Sequence, residues 1–224
     1  LRADLAQQGP DPVSALCLYA RARAIAETVG DPGLNAELRV GLSRYYRTAG
    51  NAAAAHEWAD DALTIAARAG AHDVQGWALI ERGRAAWALG DHAAAEADFR
   101  ATITRLESVQ AHFDLARSYF LLAALLRQRG DAAASAAWLE AVSRIVSGGY
   151  AFLLEQERAI AFPLLADYLN SLDPPLAEVS ATLLGHLERV SPPPLRVRAL
   201  GRFEVHQGAR TIPAGTWKRR RAGD

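Results

Sequence analysis

Methionine is absent from this 224-residue sequence, and cysteine and lysine each occur once. The single cysteine, Cys17, excludes an intramolecular disulfide and a cluster of thiolate metal ligands. Its neighbours in the segment ALCLYA are apolar, which predicts a buried and unreactive thiol. The absence of methionine, including at position 1, predicts that the sequence is part of a longer reading frame.

Long apolar runs are also missing. No run is long enough to span a membrane, and the first residues, LRADLAQQGPDP, lack the charged-then-apolar order of a secretory signal. Half of the residues are hydrophobic, which is too large a share for a disordered chain. These observations predict a folded, cytoplasmic protein with no membrane partner.

The sequence lacks the motifs of common catalytic sites. Lys218 is the single lysine and follows no glycine-rich loop, so these residues encode no P-loop. His56 and Asp60 share a helical face, but the second histidine of a zinc-protease helix is missing, which favours a surface pair. We therefore predict that the chain is not an enzyme and binds no cofactor or metal.

The sequence repeats itself at a fixed interval of about 40 residues, the size of one unit in a helical repeat protein. Gly50-Asn51, Gly90-Asp91 and Gly130-Asp131 fall into register, each followed by alanines, and Pro10-Asp11 extends the series backwards. In each copy the glycine can end a helix in a left-handed conformation, and Asp or Asn can cap the next helix. The repeating unit is therefore predicted to be a helix, a tight turn and a second helix.

Small and bulky residues recur at fixed places in these units. Spacings of four and three residues place one set on a single stripe of the second helix, where burial is expected. The set comprises Ala15, Tyr19 and Ala22; Ala55, Ala59 and Ala62; Ala95, Phe99 and Thr102; and Ser135, Leu139 and Val142. In the first helix Ser43, Gly83 and Ala123 are small, which predicts close approach of the paired helices.

This arrangement resembles the tetratricopeptide (TPR) family. The residues that carry the resemblance are Leu42, Ser43, Tyr46, Gly50, Ala55 and Ala62; Gly83, Ala95 and Phe99; and Leu122, Ala123, Leu126 and Leu139. The interval from Gly50 to Gly90 is longer than the usual TPR period, which leaves a HEAT-type solenoid as an alternative. The resemblance implies an all-α fold, a TPR-like α-solenoid over residues 1–190 that ends in one atypical helix pair.

The resemblance also implies a concave groove lined by the first helix of each pair. The positions that map to it are Glu37, Val40, Arg44 and Arg47; Trp77, Ile80, Arg84 and Trp87; and Arg117, Phe120, Ala124 and Arg127. Its arginines and tryptophans are expected to bind a protein partner's acidic segment, a carboxylate, or a planar or sugar-like effector. The alternative is that the arginines pair with nearby Glu and Asp, and that the tryptophans fill space between helices.

The net charge of zero conceals a difference between two parts of the chain. Residues 191–224 carry a net charge of +6, whereas residues 1–190 carry −6. Three consecutive prolines within residues 191–194 predict a linker at this border, because proline continues neither a helix nor a central strand. Residues 195–224 then alternate apolar and polar side chains, which predicts short strands before a helix start at Trp217.

This C-terminal stretch resembles the opening of the OmpR-like winged-helix domain of Streptomyces antibiotic regulatory proteins. The residues that carry the resemblance are Leu195-Arg196-Val197, Leu200-Gly201-Arg202-Phe203-Glu204-Val205, Gly208, Ile212-Pro213 and Trp217-Lys218-Arg219-Arg220. It implies that residues 195–224 are the incomplete amino-terminal part of a DNA-binding domain whose recognition helix would follow Asp224. Lys218, Arg219, Arg220 and Arg221 are the predicted contacts to DNA phosphates, and the alternative is a solvated cationic segment.

A helical solenoid followed by a winged-helix start resembles the layout of MalT-like regulators, in which a nucleotide-binding switch domain lies upstream. The resemblance implies a signal-receiving segment of a cytoplasmic bacterial transcriptional activator. The alternative is a free-standing TPR adaptor that binds a peptide or protein partner and has no role at DNA.

Overall fold

The computed structural model describes residues 12–108, 111–171, 173–187, 195–198, 204–207 and 210–212. Most of these residues form ten helices: α1 (Pro12–Val29), α2 (Pro32–Thr48), α3 (Ala52–Ala69), α4 (His72–Leu89), α5 (His92–Glu107), α6 (His112–Arg129), α7 (Ala134–Gly148), α8 (Phe152–Gln156), α9 (Arg158–Leu169) and α10 (Pro174–His186). The main part of the chain is therefore all-α, as predicted. None of the described helices has the length and apolar character needed to cross a membrane.

Three short strands follow the helices: β1 (Leu195–Arg198), β2 (Glu204–Gln207) and β3 (Arg210–Ile212). They form an antiparallel sheet in the order β1-β2-β3, in which the buried Val205 pairs with Val197 on one side and with Ile212 on the other. The predicted linker at 191–194 and the four cations at 218–221 lie outside the described residues.

Glycines end a helix at three of the predicted turns, and a side chain caps the next helix at two of them. Gly50, Gly90 and Gly130 have positive φ angles of 83°, 86° and 73°. This left-handed conformation is unfavourable for residues with a Cβ atom and is readily adopted by glycine. Asn51 and Asp91 each accept a hydrogen bond from the backbone N–H three residues later, which caps the next helix. The predicted caps at Asn51 and Asp91 are confirmed, whereas the predicted cap at Asp131 is wrong, because Asp131 accepts from the N–H of Ala133 and the next helix begins at Ala134 without a side-chain cap. Pro10-Asp11 lies outside the described residues.

Each helix from α2 to α6 packs against the next one in sequence. Because connections of only two to four residues join them, consecutive helices run antiparallel. Helices α2, α4 and α6 therefore run in the same direction, and α4 contacts both of the others.

The predicted apolar stripe is buried in the first three units. The buried members are Ala15, Tyr19, Ala55, Ala59, Ala62, Ala95, Phe99 and Thr102, and Ala22 is half-buried. In the fourth unit the prediction is wrong for Leu139, which is 43% exposed, while its neighbour Trp138 is fully buried. Residues 132–133 form a turn, so α7 begins three residues after Asp131 and its inner face is rotated by about one residue.

The small residues of the first helices lie where the paired helices meet, as predicted. The Ser43 hydroxyl donates a 2.7 Å hydrogen bond to the carbonyl oxygen of Ala55 on the next helix. A Cβ atom built on Gly83 would lie only 2.9 Å from Cε1 of Phe99. Ala123 is fully buried.

The prediction of a buried thiol is wrong, because Cys17 is exposed. Ala15 and Tyr19 are the buried residues of this turn, and each is two positions from Cys17. Two residues correspond to about 200° of helical rotation, so the thiol lies on the opposite face. Apolar neighbours in the sequence therefore do not indicate on which face of the helix the Cys17 side chain lies.

Candidate functional site

A cavity of about 860 Å³ is lined by residues of α2, α4 and α6 and by the segment 155–158. Five of the seven residues predicted as groove ligands line it: Arg44, Arg47, Trp77, Arg84 and Arg117. Helical spacing explains the grouping, since residues three, four or seven positions apart share one helical face. The parallel course of the three helices brings these faces together.

Glu81 lies at the centre of three of these arginines. Its fully buried carboxylate accepts hydrogen bonds from Nε of Arg44 at 3.3 Å, Nε of Arg47 at 3.0 Å and Nη2 of Arg117 at 3.0 Å. Burial alone would raise the pKa of Glu81, but the surrounding guanidinium groups outweigh it and hold the pKa well below its ordinary value. Glu81 is therefore a buried anion that gathers arginines from α2 and α6.

Glu157 forms the second anionic centre. Both of its carboxylate oxygens accept hydrogen bonds from the two Nη atoms of Arg84, with Nη2 at 2.7 Å from Oε2. Nη2 of Arg117 lies 3.5 Å from Oε1 of the same carboxylate. Burial would raise the pKa of Glu157, but Arg84 and Arg117 prevail and lower it to about 2.

A break between two helices positions the Glu157 side chain. Glu157 follows the five-residue helix α8 and precedes α9, and its backbone angles of −102° and 28° depart from helical values. Its N–H still donates to the carbonyl of Leu153, and its carbonyl accepts from Ile160 and Ala161. The backbone is thus satisfied, while the side chain enters the arginine cluster.

The cluster has an excess of positive charge. Four arginines, at 44, 47, 84 and 117, surround two carboxylates, at 81 and 157, which leaves a formal charge of +2. Each guanidinium carries about five N–H donors and each carboxylate accepts about four hydrogen bonds, so donors outnumber carboxylate acceptors. Arg44 has the most accessible side chain of the four, at 35% exposed. The excess is local to the cluster, because three further carboxylates (Glu37, Asp114 and Glu155) and one further arginine (Arg158) line the same cavity and bring its formal charge to zero.

Aromatic side chains form another part of the cavity wall. Trp77 is half-buried, and its Nε1 donates a 2.9 Å hydrogen bond to Oδ2 of Asp114. Phe113 stacks on Phe152 and meets Tyr150 edge-on, with ring centroids 5.4 Å apart in both cases. The cavity therefore offers apolar and aromatic surface beside its arginines.

Trp87 and Arg127, the other two residues predicted as groove ligands, do not line this cavity, and three further predicted groove positions are buried in the core: Ile80, Phe120 and Ala124. Nε1 of Trp87 donates to the side chain of Gln128 at 2.7 Å, and its ring packs edge-on against Phe99. The guanidinium of Arg127 lies over the ring of Tyr168, 5.2 Å from its centroid. Both residues join neighbouring helices, as in the alternative interpretation of the pattern. Ion pairing of the arginines, also part of that alternative, occurs around Glu81 and Glu157.

Sequence reasoning missed the two carboxylates that organise the site. Glu81 shares its place in the repeat register with Gly41 and Leu121, which are both buried. A charged residue at a repeat position that is otherwise occupied by uncharged residues was the signal in the sequence for a buried charge at Glu81. Glu157 lies one repeat interval after Arg117, so continuing the predicted groove column by one unit would have found it.

Within the part of the chain that the structure describes, no group of three or more His, Cys, Asp or Glu side chains is arranged to hold a metal ion. No protein-family model matches the chain, and no curated protein matches it.

Proposed function

We propose that this chain is the effector-binding segment of a cytoplasmic bacterial transcriptional activator. In this proposal a TPR-like α-solenoid takes a small anionic effector in its cavity, and residues 195–224 begin a winged-helix DNA-binding domain. The observation that carries the proposal is the convergence of Arg44, Arg47, Arg84 and Arg117 on one cavity. An upstream nucleotide-binding switch domain belongs to the same proposal.

The solenoid part is supported by the way the helices pack. Consecutive helices contact each other from α2 to α7, and left-handed glycines recur at equal intervals at Gly50, Gly90 and Gly130. Stacked helix pairs of this kind contact their neighbours and present one layer of helices to a ligand. The cavity is lined by that layer.

The size and chemistry of the cavity support a small effector. A volume of about 860 Å³ falls in the range of about 300–1,000 Å³ that is usual for small-molecule sites. Trp77 and Phe113 would cover the body of such a molecule, and arginines would hold its anionic group. Binding is favoured over catalysis, because Glu81 and Glu157 have lowered pKa values that suit neither to proton transfer near neutral pH.

The DNA-binding part is supported by the strand order and by charge. The three strands are antiparallel and lie in the sheet in sequence order, β1-β2-β3, which is the arrangement expected at the start of an OmpR-like winged-helix domain. The net charge of +6 over residues 191–224 suits contact with phosphates.

A free-standing adaptor remains the second candidate. Phe152 is 45% exposed and stacks on Phe113 at the cavity wall, which would suit a partner protein's apolar residue. The adaptor would use the same cavity for an acidic peptide.

The parent gene distinguishes the two candidates. A helix-turn-helix pattern encoded directly after Asp224 is expected for the activator, and an upstream P-loop would add the switch domain. A stop codon at that point would refute the activator and leave the adaptor.

Effector binding is tested on the protein itself. We expect at least one member of a panel of small organic acids to raise the Tm at constant ionic strength, and Arg44→Met to remove the effect. Arg100→Met is the control, since Arg100 pairs with Glu96 on the surface. An equal rise in Tm for Arg44→Met and Arg100→Met would count against the cavity as the binding site.

A further inference from the structure

The contact between Arg84 and Glu157 has the geometry of a bound carboxylate ligand. Two guanidinium nitrogens meet two carboxylate oxygens, which is the bidentate arrangement by which arginine recognises carboxylates. The side chains are only 8% and 11% exposed, so the contact lies inside the protein. Arg117 reaches the same carboxylate from α6. A complete carboxylate site therefore exists, and one of the chain's own residues fills it.

The residue that fills the site belongs to the edge of the cavity. Glu155, Gln156 and Arg158 flank Glu157, line the same cavity and are exposed. Solvent therefore reaches this segment next to the buried contact. A rotation of the Glu157 side chain would bring its carboxylate towards water without breaking the backbone hydrogen bonds at the helix break.

The energetics favour an exchange of carboxylates over simple loss of the contact. Removing Glu157 from the arginines without replacement would leave buried positive charge uncompensated, which is strongly unfavourable. A ligand carboxylate would restore the same hydrogen bonds, while the Glu157 carboxylate regains its hydration. The cost of the exchange is therefore small compared with the cost of an unfilled site.

We propose that Arg84 and Arg117 are the carboxylate subsite of the cavity, that Glu157 fills this subsite in the ligand-free protein, and that a small organic acid displaces it. This inference rests on the proposed effector-binding function and names the ligand class. The acid's apolar or aromatic body lies towards Trp77 and Phe113, which share the cavity with both arginines.

Displacement of Glu157 links the cavity to the helices that follow. Glu157 directly precedes α9, and α9 packs against α10. Releasing the carboxylate removes the ion pairs that tie the α8–α9 break to Arg84 on α4 and Arg117 on α6, while the stacking of Phe152 on Phe113 remains. A ligand that binds only after this release shifts the population towards the released state, which is the requirement for a conformational signal.

Chemical rescue tests the subsite directly. Glu157→Ala removes the internal carboxylate, and acetate or propionate is then titrated at constant ionic strength, with chloride as the balancing anion. We expect a saturable rise in Tm, with an apparent Kd at least tenfold lower than in the wild type. Glu155→Ala is the matched control, because Glu155 is an exposed carboxylate of the same segment. Adding Arg84→Met to Glu157→Ala is expected to abolish the rescue.

A second variant covers the case in which Glu157→Ala does not fold. Glu157→Gln keeps the size of the side chain and is titrated with the same anions by calorimetry, with the same tenfold difference expected. Equal affinities in wild type, Glu155→Ala and the Glu157 variants would overturn the exchange. If the wild type still binds organic acids through Arg44, the proposed effector-binding function stands, and only the exchange at Glu157 is refuted. If no form binds them, both are overturned.

Discussion

Nη2 of Arg84 donates a 2.7 Å hydrogen bond to Oε2 of Glu157, a residue 73 positions further along the chain. This single contact joins the middle of α4 to the break between α8 and α9. Arg117 adds a contact from α6 to the same carboxylate. Three separate stretches of sequence are thus held together by one buried anion.

The first prediction concerns this contact. Arg84→Met leaves the Glu157 carboxylate buried without its bidentate partner, so the free energy of unfolding should fall by about 3–5 kcal/mol. Equilibrium urea unfolding measures the change. Arg84→Met combined with Glu157→Leu removes both charges and should be less destabilised than Arg84→Met alone.

Arg100→Met provides the surface comparison for this prediction. Arg100 pairs with Glu96 on an exposed helical face, with 54% of the arginine side chain exposed. Its loss should cost no more than about 1 kcal/mol. A similar cost for Arg84→Met would mean that the buried contact contributes no more than a surface pair.

The origin of this site shows what the sequence could indicate. Arg44 and Arg84 were predicted as groove residues because the resemblance to the TPR family maps their positions to the groove. Glu81 was not predicted, because the position that it shares with Gly41 and Leu121 in the repeat is not one of the mapped groove positions. The repeat pattern indicates which face of a helix a residue occupies, and a charge at a buried position indicates that a partner exists, but the arginines that pair with it become evident only when the helices are packed.

The position of α7 illustrates the same limit for the fold. The segments Gly90-Asp91 and Gly130-Asp131 are each followed by small residues, yet α5 begins one residue after its cap and α7 begins three residues after Asp131. The later start places Trp138 inside and Leu139 outside. Burying the larger side chain of Trp138 is favoured over burying Leu139. The Gly-Asp turn pattern alone does not indicate which of the two side chains is buried.

The second prediction is a loss of stability in acid. Glu157 has a pKa lowered to about 2 in the folded protein, from an ordinary value of 4.5. Its stabilising contribution is fully present above about pH 5 and is lost as the pH falls towards 2. The total is on the order of 3 kcal/mol from the size of the shift. Glu81, whose pKa is also lowered, adds to the loss in the same direction.

Denaturant unfolding at several pH values from 7 to 2 tests this prediction. The difference in unfolding free energy between the wild type and Glu157→Gln should narrow as the pH falls. The neighbouring variant Glu155→Gln controls for the loss of one negative charge. A difference that stays constant from pH 7 to pH 2 would show that protonation of Glu157 is not linked to unfolding.

The third prediction concerns the close approach of α4 and α5. A Cβ atom on Gly83 would lie 2.9 Å from Cε1 of Phe99 and 3.1 Å from Cβ of Asp98, and both neighbours are buried. Gly83→Ala should therefore lower the free energy of unfolding by about 1–3 kcal/mol, although alanine favours helix formation. Gly185→Ala is the matched control, because a Cβ there meets nothing within 4 Å, and it should be neutral or stabilising by up to about 1 kcal/mol. An equal increase in the free energy of unfolding in both variants would mean that α4 and α5 move apart at little cost.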